Sequence, residues 1–188
     1  MTESDARPAP AGLNPGAEAD AWRGAAETGT ARRAVAPTQP SWSPASATIS
    51  NELIAQIVES ACHGSPNEAC GLLAAERIAE DGGVPSHFLA MRNAAASPYR
   101  YEVDSQELLA ALLEIEARDE VVWGIVHSHV ASKAEPSATD IGIAAYSDGS
   151  PTFPGTLYLI CSLATDPPVV RAWLIEAGHV SEVVLHPT

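Results

Sequence analysis

The chain has 188 residues and a formal net charge of −14, from 24 acidic and 10 basic side chains. Such an acidic surface repels phosphate backbones and anionic lipids, so nucleic acids and membranes are disfavoured as partners. No apolar run approaches the length of a membrane span, no signal-peptide pattern occurs, and three cysteines suit reduced thiols better than a disulfide framework. We therefore expect a cytoplasmic protein.

The first part of the chain differs in composition from the rest. Residues 1–47 are rich in Ala, Pro, Gly, Thr and Ser and show no apolar period, which is typical of disordered segments. Residues 48–188 are an ordinary length for one domain with its own core. The sequence therefore predicts a disordered tail followed by one folded domain.

The first half of this domain begins with a helix. Ser50 is a suitable N-cap, and apolar residues at helical spacing follow it to about residue 62. Strands are predicted at residues 71–76 and 87–92, and Asp104 begins a capping box that opens a second helix. The apolar stripe of this second helix is expected to consist of Leu108, Leu109, Leu112, Leu113 and Ile115.

The second half contains most of the predicted strands. A buried strand spans residues 121–129, and a helix follows from Ser137 to about residue 146. The last three strands are predicted at residues 155–162, 169–175 and 180–185, the final two joined by a hairpin turn. This order of elements predicts an α/β domain.

The strongest functional signal comes from two histidines at the end of the strand 121–129, together with a serine and an aspartate at the start of the helix that follows. His127 and His129 point to the same face, because residues i and i+2 of a strand do so. Asp140 lies three positions after the helix cap Ser137, so both are fixed on the first helical turn. Three protein ligands with a fourth position open to water are typical of catalytic zinc, whereas structural zinc usually takes cysteine pairs. The chain has no Cys-x-x-Cys.

A hydrolytic zinc site also needs a group that takes a proton from water, usually a carboxylate beside the metal. Glu68 is the candidate, because it lies in a polar turn that leads into a short apolar strand. Its carboxylate is thereby able to face the site from a strand edge.

Each of these features has an ordinary explanation when it stands alone. A His-x-His pair is often incidental, Ser-x-x-Asp is usually a helix cap, and a single glutamate is usually a surface charge. A nucleophilic Cys70 paired with His127 is an alternative, but two histidines and an aspartate are better explained by a metal. The five residues together, in a strand–loop–helix context, favour the metal site.

In this order, Glu68, His127-Ser-His129, Ser137 and Asp140 resemble the full signature of the JAMM (MPN+) zinc metalloproteases. The resemblance covers the chain from about residue 48 to its end. It implies the JAMM/MPN fold, which is cytidine-deaminase-like, with a mixed, mostly antiparallel sheet flanked by helices. It also implies that His127, His129 and Asp140 bind Zn²⁺, that Glu68 is the general base, and that Ser137 helps to hold the oxyanion.

Residues 66–73 and 93–101, together with the His-Ser-His segment, are similar to a bacterial, especially actinobacterial, subgroup of this family. That resemblance implies a peptidase that cleaves after the C-terminal Gly-Gly of a small ubiquitin-like sulfur-carrier protein and releases cysteine for cysteine biosynthesis. The alternatives are another JAMM peptidase or ubiquitin-like-protein isopeptidase, a cell-wall peptidase, or a non-catalytic MPN scaffold. Scaffolds usually lack a metal ligand or the glutamate, and this chain has all of them.

Overall fold

In the computed structural model, which describes residues 44–188, the apolar segments of the sequence form one seven-stranded sheet. The helices are α1 (Asn51–Gly64), α2 (Ser105–Ala117) and α3 (Ala138–Ile143). The strands are β1 (Ser46–Ile49), β2 (Cys70–Ala75), β3 (His87–Met91), β4 (Val121–His129), β5 (Leu157–Ser162), β6 (Val169–Glu176) and β7 (His179–Pro187).

The strands are arranged in the order β1-β7-β6-β5-β4-β2-β3. Two neighbouring pairs, β1 with β7 and β4 with β5, are parallel, and the other four are antiparallel. The mixed, mostly antiparallel sheet expected from the sequence is therefore confirmed. Strand β4 lies between β2 and β5, so its C-terminal end is held on both sides.

The helices cover the two faces of the sheet. Helix α1 buries Leu53, Ile57 and Ala61 in an apolar cluster on one face, and α2 contributes Ala111 and Ile115 to a second cluster on the other. Burial of each large aliphatic side chain contributes about 1.5–3 kcal/mol, so these two layers fix the helices against the sheet. No helix among residues 44–188 is long and apolar enough to cross a membrane.

The predicted starts of α1 and α2 are confirmed, but the predicted capping box of α2 is only half formed. Ser50 Oγ accepts from Leu53 N at 3.1 Å, and the Asp104 carboxylate accepts from the backbone of the first turn of α2. The return bond of the α2 capping box is absent, because the Glu107 carboxylate accepts from Arg92 N at 2.6 Å instead. This bond joins α2 to the end of β3.

Three predictions need correction. The tail was expected to reach residue 47, but Ser46 and Ala47 belong to β1 and pair with β7, while residues 1–43 lie outside the described part.

The other two corrections concern helices. Leu109 and Leu113 are 60% and 55% exposed, because the face of α2 toward the sheet runs through Leu108, Ala111, Leu112 and Ile115. Helix α3 ends at Ile143 rather than near residue 146, since Ala144 O accepts from Thr152 N.

Strand β3 approaches β2 closely at Gly71. A Cβ atom there would lie 2.4 Å from the Phe88 ring and 2.5 Å from Leu89 O, so only glycine fits. The antiparallel pairing of Cys70 with Met91 places the segment that follows β3 next to the segment that precedes β2. That proximity matters for the site, because Glu68 precedes β2.

Candidate metal centre

Three buried side chains meet where β4 ends and α3 begins. His127 Nε2 lies 3.2 Å from His129 Nε2, and the Asp140 carboxylate oxygens lie 3.4 Å from His127 Nε2 and 3.5 Å from His129 Nε2. Ligand atoms about 2.0–2.1 Å from a tetrahedral zinc are separated by about 3.3 Å. The observed separations therefore fit a single zinc ion, and the group matches the ligands predicted from the sequence.

The protonation states of Asp140 and His127 also suit a cation. Burial opposes the charge of Asp140, but its contacts with His127, His129 and Ser137 outweigh this effect and hold the pKa of Asp140 well below its usual range. Burial lowers the pKa of His127, which is fully enclosed, so its imidazole is neutral at cellular pH. A neutral imidazole and a carboxylate are the protonation states that bind a metal.

The two imidazole rings are held in place by different contacts. His129 Nδ1 donates to Lys133 O at 2.7 Å, so the lone pair of the neutral ring lies on Nε2, toward Asp140. Burial lowers the pKa of His129, but its contacts with Asp140 and Lys133 O raise it overall. The His127 ring stacks on Tyr101, with ring centres 4.6 Å apart and planes 20° from parallel.

Ser137 and Asp140 form the complete capping box that the sequence predicts. Asp140 N donates to Ser137 Oγ at 3.2 Å, and Ser137 N donates to Asp140 Oδ2 at 2.6 Å. The second bond also fixes the direction of the aspartate. Since Ser137 Oγ is the acceptor in the first bond, its own hydroxyl proton is not used in the capping box.

Glu68 is buried across the strand pair from His129. Cys70 pairs with His127 in the antiparallel register, and continuing it by two residues places Glu68 opposite His129 on the same face. The Glu68 side chain is 5% exposed, and burial raises its pKa to about 7, with His129 lowering the pKa and Asp140 raising it. The structure therefore places a carboxyl whose pKa is raised to about 7 beside His129 and Asp140.

Comparison with known proteins identifies the family. Residues 50–176 match the family described as prokaryotic homologs of the JAB domain. The chain belongs to the JAB (JAMM/MPN) family. Among solved structures, the JAB chain is similar to protein DSY2949 from Desulfitobacterium hafniense, with a TM-score of 0.65, 31% identity, and coverage of 75% of this chain and 92% of that one.

Two of the curated relatives of this chain carry the names of enzymes. A CysO-cysteine peptidase from Mycobacterium tuberculosis is 36% identical over 136 residues, which cover 71% of this chain and 86% of the relative. A desampylase from Haloferax volcanii is 34% identical over 113 residues, covering 60% of this chain and 74% of the relative. The predicted JAMM family and fold are confirmed, as is the enzyme class, a hydrolase acting on peptide bonds.

The loop between the second histidine and α3 of this JAB domain is anchored by side chains that the sequence reasoning missed. Four consecutive residues each have a separate partner: Ser132 O with Ser162 Oγ (2.6 Å), Lys133 O with His129 Nδ1 (2.7 Å), Ala134 O with Trp173 Nε1 (2.9 Å), and Glu135 with Arg171 (3.2 Å). These anchors fix the path of the loop from His129 to Asp140. The partners on β5 and β6 are distant in sequence, so no local pattern indicates them.

The alternative of a nucleophilic Cys70 is not supported. Burial raises the pKa of the Cys70 thiol to about 12, and its Sγ lies 3.6 Å from Met91 O. Only a thiolate is a good nucleophile, and this thiol stays protonated at cellular pH. Cys62, Cys70 and Cys161 are all free, in agreement with the expected reduced thiols.

Proposed function

We propose that the protein is a zinc-dependent peptidase that hydrolyses the amide bond after the C-terminal glycine of a small ubiquitin-like sulfur-carrier protein and releases cysteine. The observation that carries the proposal is the spacing of His127, His129 and Asp140, which fits one zinc ion, with the buried carboxyl of Glu68 beside them. The carrier–cysteine adduct is supported by the name of the mycobacterial relative, a CysO-cysteine peptidase.

His127, His129 and Asp140 are the residues that would hold the zinc ion. When bound, zinc supplies a Lewis acid that polarises a carbonyl group and makes water acidic enough to attack at neutral pH. The hydrogen bonds from Ser137 N to Asp140 and from His129 to Lys133 O keep two of the ligands aimed at one point. Such preorganisation lowers the cost of ordering the site when substrate binds.

Glu68 is proposed as the general base and then the general acid. Its pKa of about 7 leaves a useful fraction ionised at cellular pH, so its carboxylate is able to accept a proton from the attacking water. The same proton then passes to the nitrogen of the leaving amine as the carbon–nitrogen bond breaks. This transfer returns the carboxyl to its ionised form, which balances the cycle.

Ser137 is proposed as a hydrogen-bond donor to the carbonyl oxygen, on which negative charge develops. Its hydroxyl proton is not used in the capping box, and the residue is exposed at the start of α3, beside Asp140. Loss of one donor to an oxyanion typically costs about 3–4 kcal/mol in the transition state.

A Gly-Gly tail suits the surroundings of this site. Strand β3 lies at the edge of the sheet, next to β2 and the segment that carries Glu68. Glycines lack side chains, so an extended tail of them is able to pass close to the ligands while its backbone pairs with a strand edge. Specificity would then come from the folded carrier, which docks outside the site.

An isopeptidase acting on another ubiquitin-like protein is the second candidate, favoured by the similarity to a desampylase. The two candidates separate when the zinc-loaded protein is incubated with bacterial sulfur carriers extended by cysteine after Gly-Gly, and with diubiquitin. We expect mass spectrometry to show loss of the cysteine only, and a much slower loss with the Glu68→Gln control. Cleavage of diubiquitin without action on several carrier adducts would overturn the carrier proposal but leave the peptidase proposal standing.

We also propose that the catalytic domain begins at β1 and that residues 1–43 are dispensable for catalysis. Ala45 O accepts from Val184 N at 3.1 Å, so the chain is already tied to the sheet one residue before β1. The disordered tail and the cytoplasmic location stay predictions from the sequence.

A further inference from the structure

Asn93, which follows β3, is the centre of a hydrogen-bond network next to the site. Its Nδ2 donates to Glu68 O at 2.9 Å and to Arg100 O at 3.1 Å. Its Oδ1 accepts from Ala95 N and Glu102 N, both at 3.0 Å. All four hydrogen-bonding positions of the amide are used, and only an amide side chain supplies two donors and two acceptors in this arrangement.

The backbone around Glu68 is fixed from two sides. On one side, Glu68 N donates to Ser97 O at 2.9 Å, so the loop organised by Asn93 holds both backbone groups of Glu68. On the other side, Ala69 N donates to Ser128 Oγ at 2.8 Å and Ser128 N donates to Ala69 O at 2.9 Å. The position of Glu68 is therefore set jointly by the Asn93 loop and by the strand that carries both histidines.

The same loop also reaches one of the histidines. Glu102 N is held by Asn93, and its neighbour Tyr101 stacks on the His127 ring with centres 4.6 Å apart. An isolated β-bridge between Asn93 and Val103 closes the base of the loop. Asn93 thus links the segment that carries the carboxyl to the segment that packs on the ligand.

We propose that Asn93 is a positioning residue for catalysis, which holds the backbone of Glu68 so that its carboxylate stands at the distance that proton transfer requires. The inference rests on the proposed role of Glu68 as the base. A displacement of about 1 Å at a reacting group is enough to lower turnover about 100-fold, so a lost hydrogen bond to the backbone of the base has a kinetic effect. Asn93 itself touches no reacting atom.

The test is a double-mutant cycle with Asn93→Ala, Glu68→Gln and the double variant, assayed on a sulfur carrier extended by Gly-Gly-Cys. We expect Asn93→Ala to lower kcat about 10- to 100-fold, with KM changed less than about 3-fold and the zinc content unchanged. In the Glu68→Gln background the same substitution should cause no further loss, because a positioning residue acts only through the group it positions.

Asn51→Ala is the matched control. Asn51 Nδ2 also donates to a backbone carbonyl, Thr188 O, at 3.1 Å. Asn51, however, lies at the start of α1, beside the residue that follows β7. Its removal deletes the same kind of bond and should leave kcat unchanged. Comparison of Asn93→Ala with Asn51→Ala therefore separates an effect on Glu68 from the general effect of losing a hydrogen bond of an asparagine side chain.

A second variant covers the case in which Asn93→Ala does not fold. Asn93→Asp keeps the oxygen that accepts from Ala95 N and Glu102 N and removes the donor to Glu68 O and Arg100 O. It should show the same kcat loss and the same lack of effect on Glu68→Gln. An unchanged kcat, or an equal loss in both backgrounds, would overturn the inference alone. A Glu68→Gln protein that turns over at the wild-type rate would overturn the proposed base as well.

Discussion

Replacement of Glu68 by Gln is expected to lower turnover strongly and, at the same time, to stabilise the metal-free protein. The carboxyl is 5% exposed, and burial raises its pKa from 4.5 to about 7. Each unit of this shift corresponds to about 1.4 kcal/mol, so the ionised side chain costs the folded state about 3 kcal/mol. Glutamine has almost the same shape and no charge, so it avoids this cost.

The gain depends on pH in a direction that follows from the raised pKa. Between about pH 4.5 and 7 the folded protein holds a proton on Glu68 that the unfolded chain has lost, so the free energy of unfolding falls as pH rises through this range. Glutamine does not titrate. The difference between variant and wild type should therefore be small below pH 4.5 and should reach about 3 kcal/mol above pH 7.

The measurement is chemical unfolding of EDTA-treated protein at pH 5 and pH 8, followed by circular dichroism. Glu59→Gln, an exposed carboxylate on α1, is the control and should change little at either pH. Added zinc should reduce the gain, because a nearby cation favours the ionised carboxylate. A Glu68→Gln protein no more stable than wild type at pH 8, or equally stabilised at pH 5, would refute the reasoning.

Three other predictions concern the metal, the anchored loop and the tail. Purified protein should contain about one zinc per chain by elemental analysis, and His127→Ala or Asp140→Ala should lose most of it; full retention in both would contradict the site. Trp173→Phe removes the donor to Ala134 O and should weaken zinc binding about 3- to 10-fold in chelator competition, whereas unchanged affinity would show that the anchor is dispensable. Deletion of residues 1–43 should leave the Tm and activity nearly unchanged, and a large drop in Tm would show that the tail packs on the domain.

The parts of the site that the sequence predicts are those governed by local geometry. His127 and His129 share a face because strands alternate, and Asp140 is placed by the capping box with Ser137. These rules need only a few neighbouring residues. Glu68 is brought to this group by the order of the strands in the sheet, which no local pattern predicts. Its place in the site was inferred from the family resemblance.

Features that depend on distant contacts escaped prediction. Asn93 and Trp173 act on backbone groups 25 and 39 residues away, and no local pattern marks such partners. Strand β1 is only four residues long and lies directly before the helix cap, where its composition continues that of the tail. The exposure of Leu109 and Leu113 was missed because five apolar residues in α2 exceed what one helical face is able to bury.

The anchored loop has a consequence for how the chain length is able to vary. Seven residues separate His129 from Ser137, and four in a row, residues 132–135, each have their own partner. An insertion or deletion of one residue there would shift every later residue by one place and break several of these contacts together. The β6–β7 turn at Ala177 and Gly178, whose tip is exposed, carries no such restriction. We therefore expect tags or added segments to be tolerated at that turn, whereas the number of residues between His129 and Ser137 is fixed by these contacts.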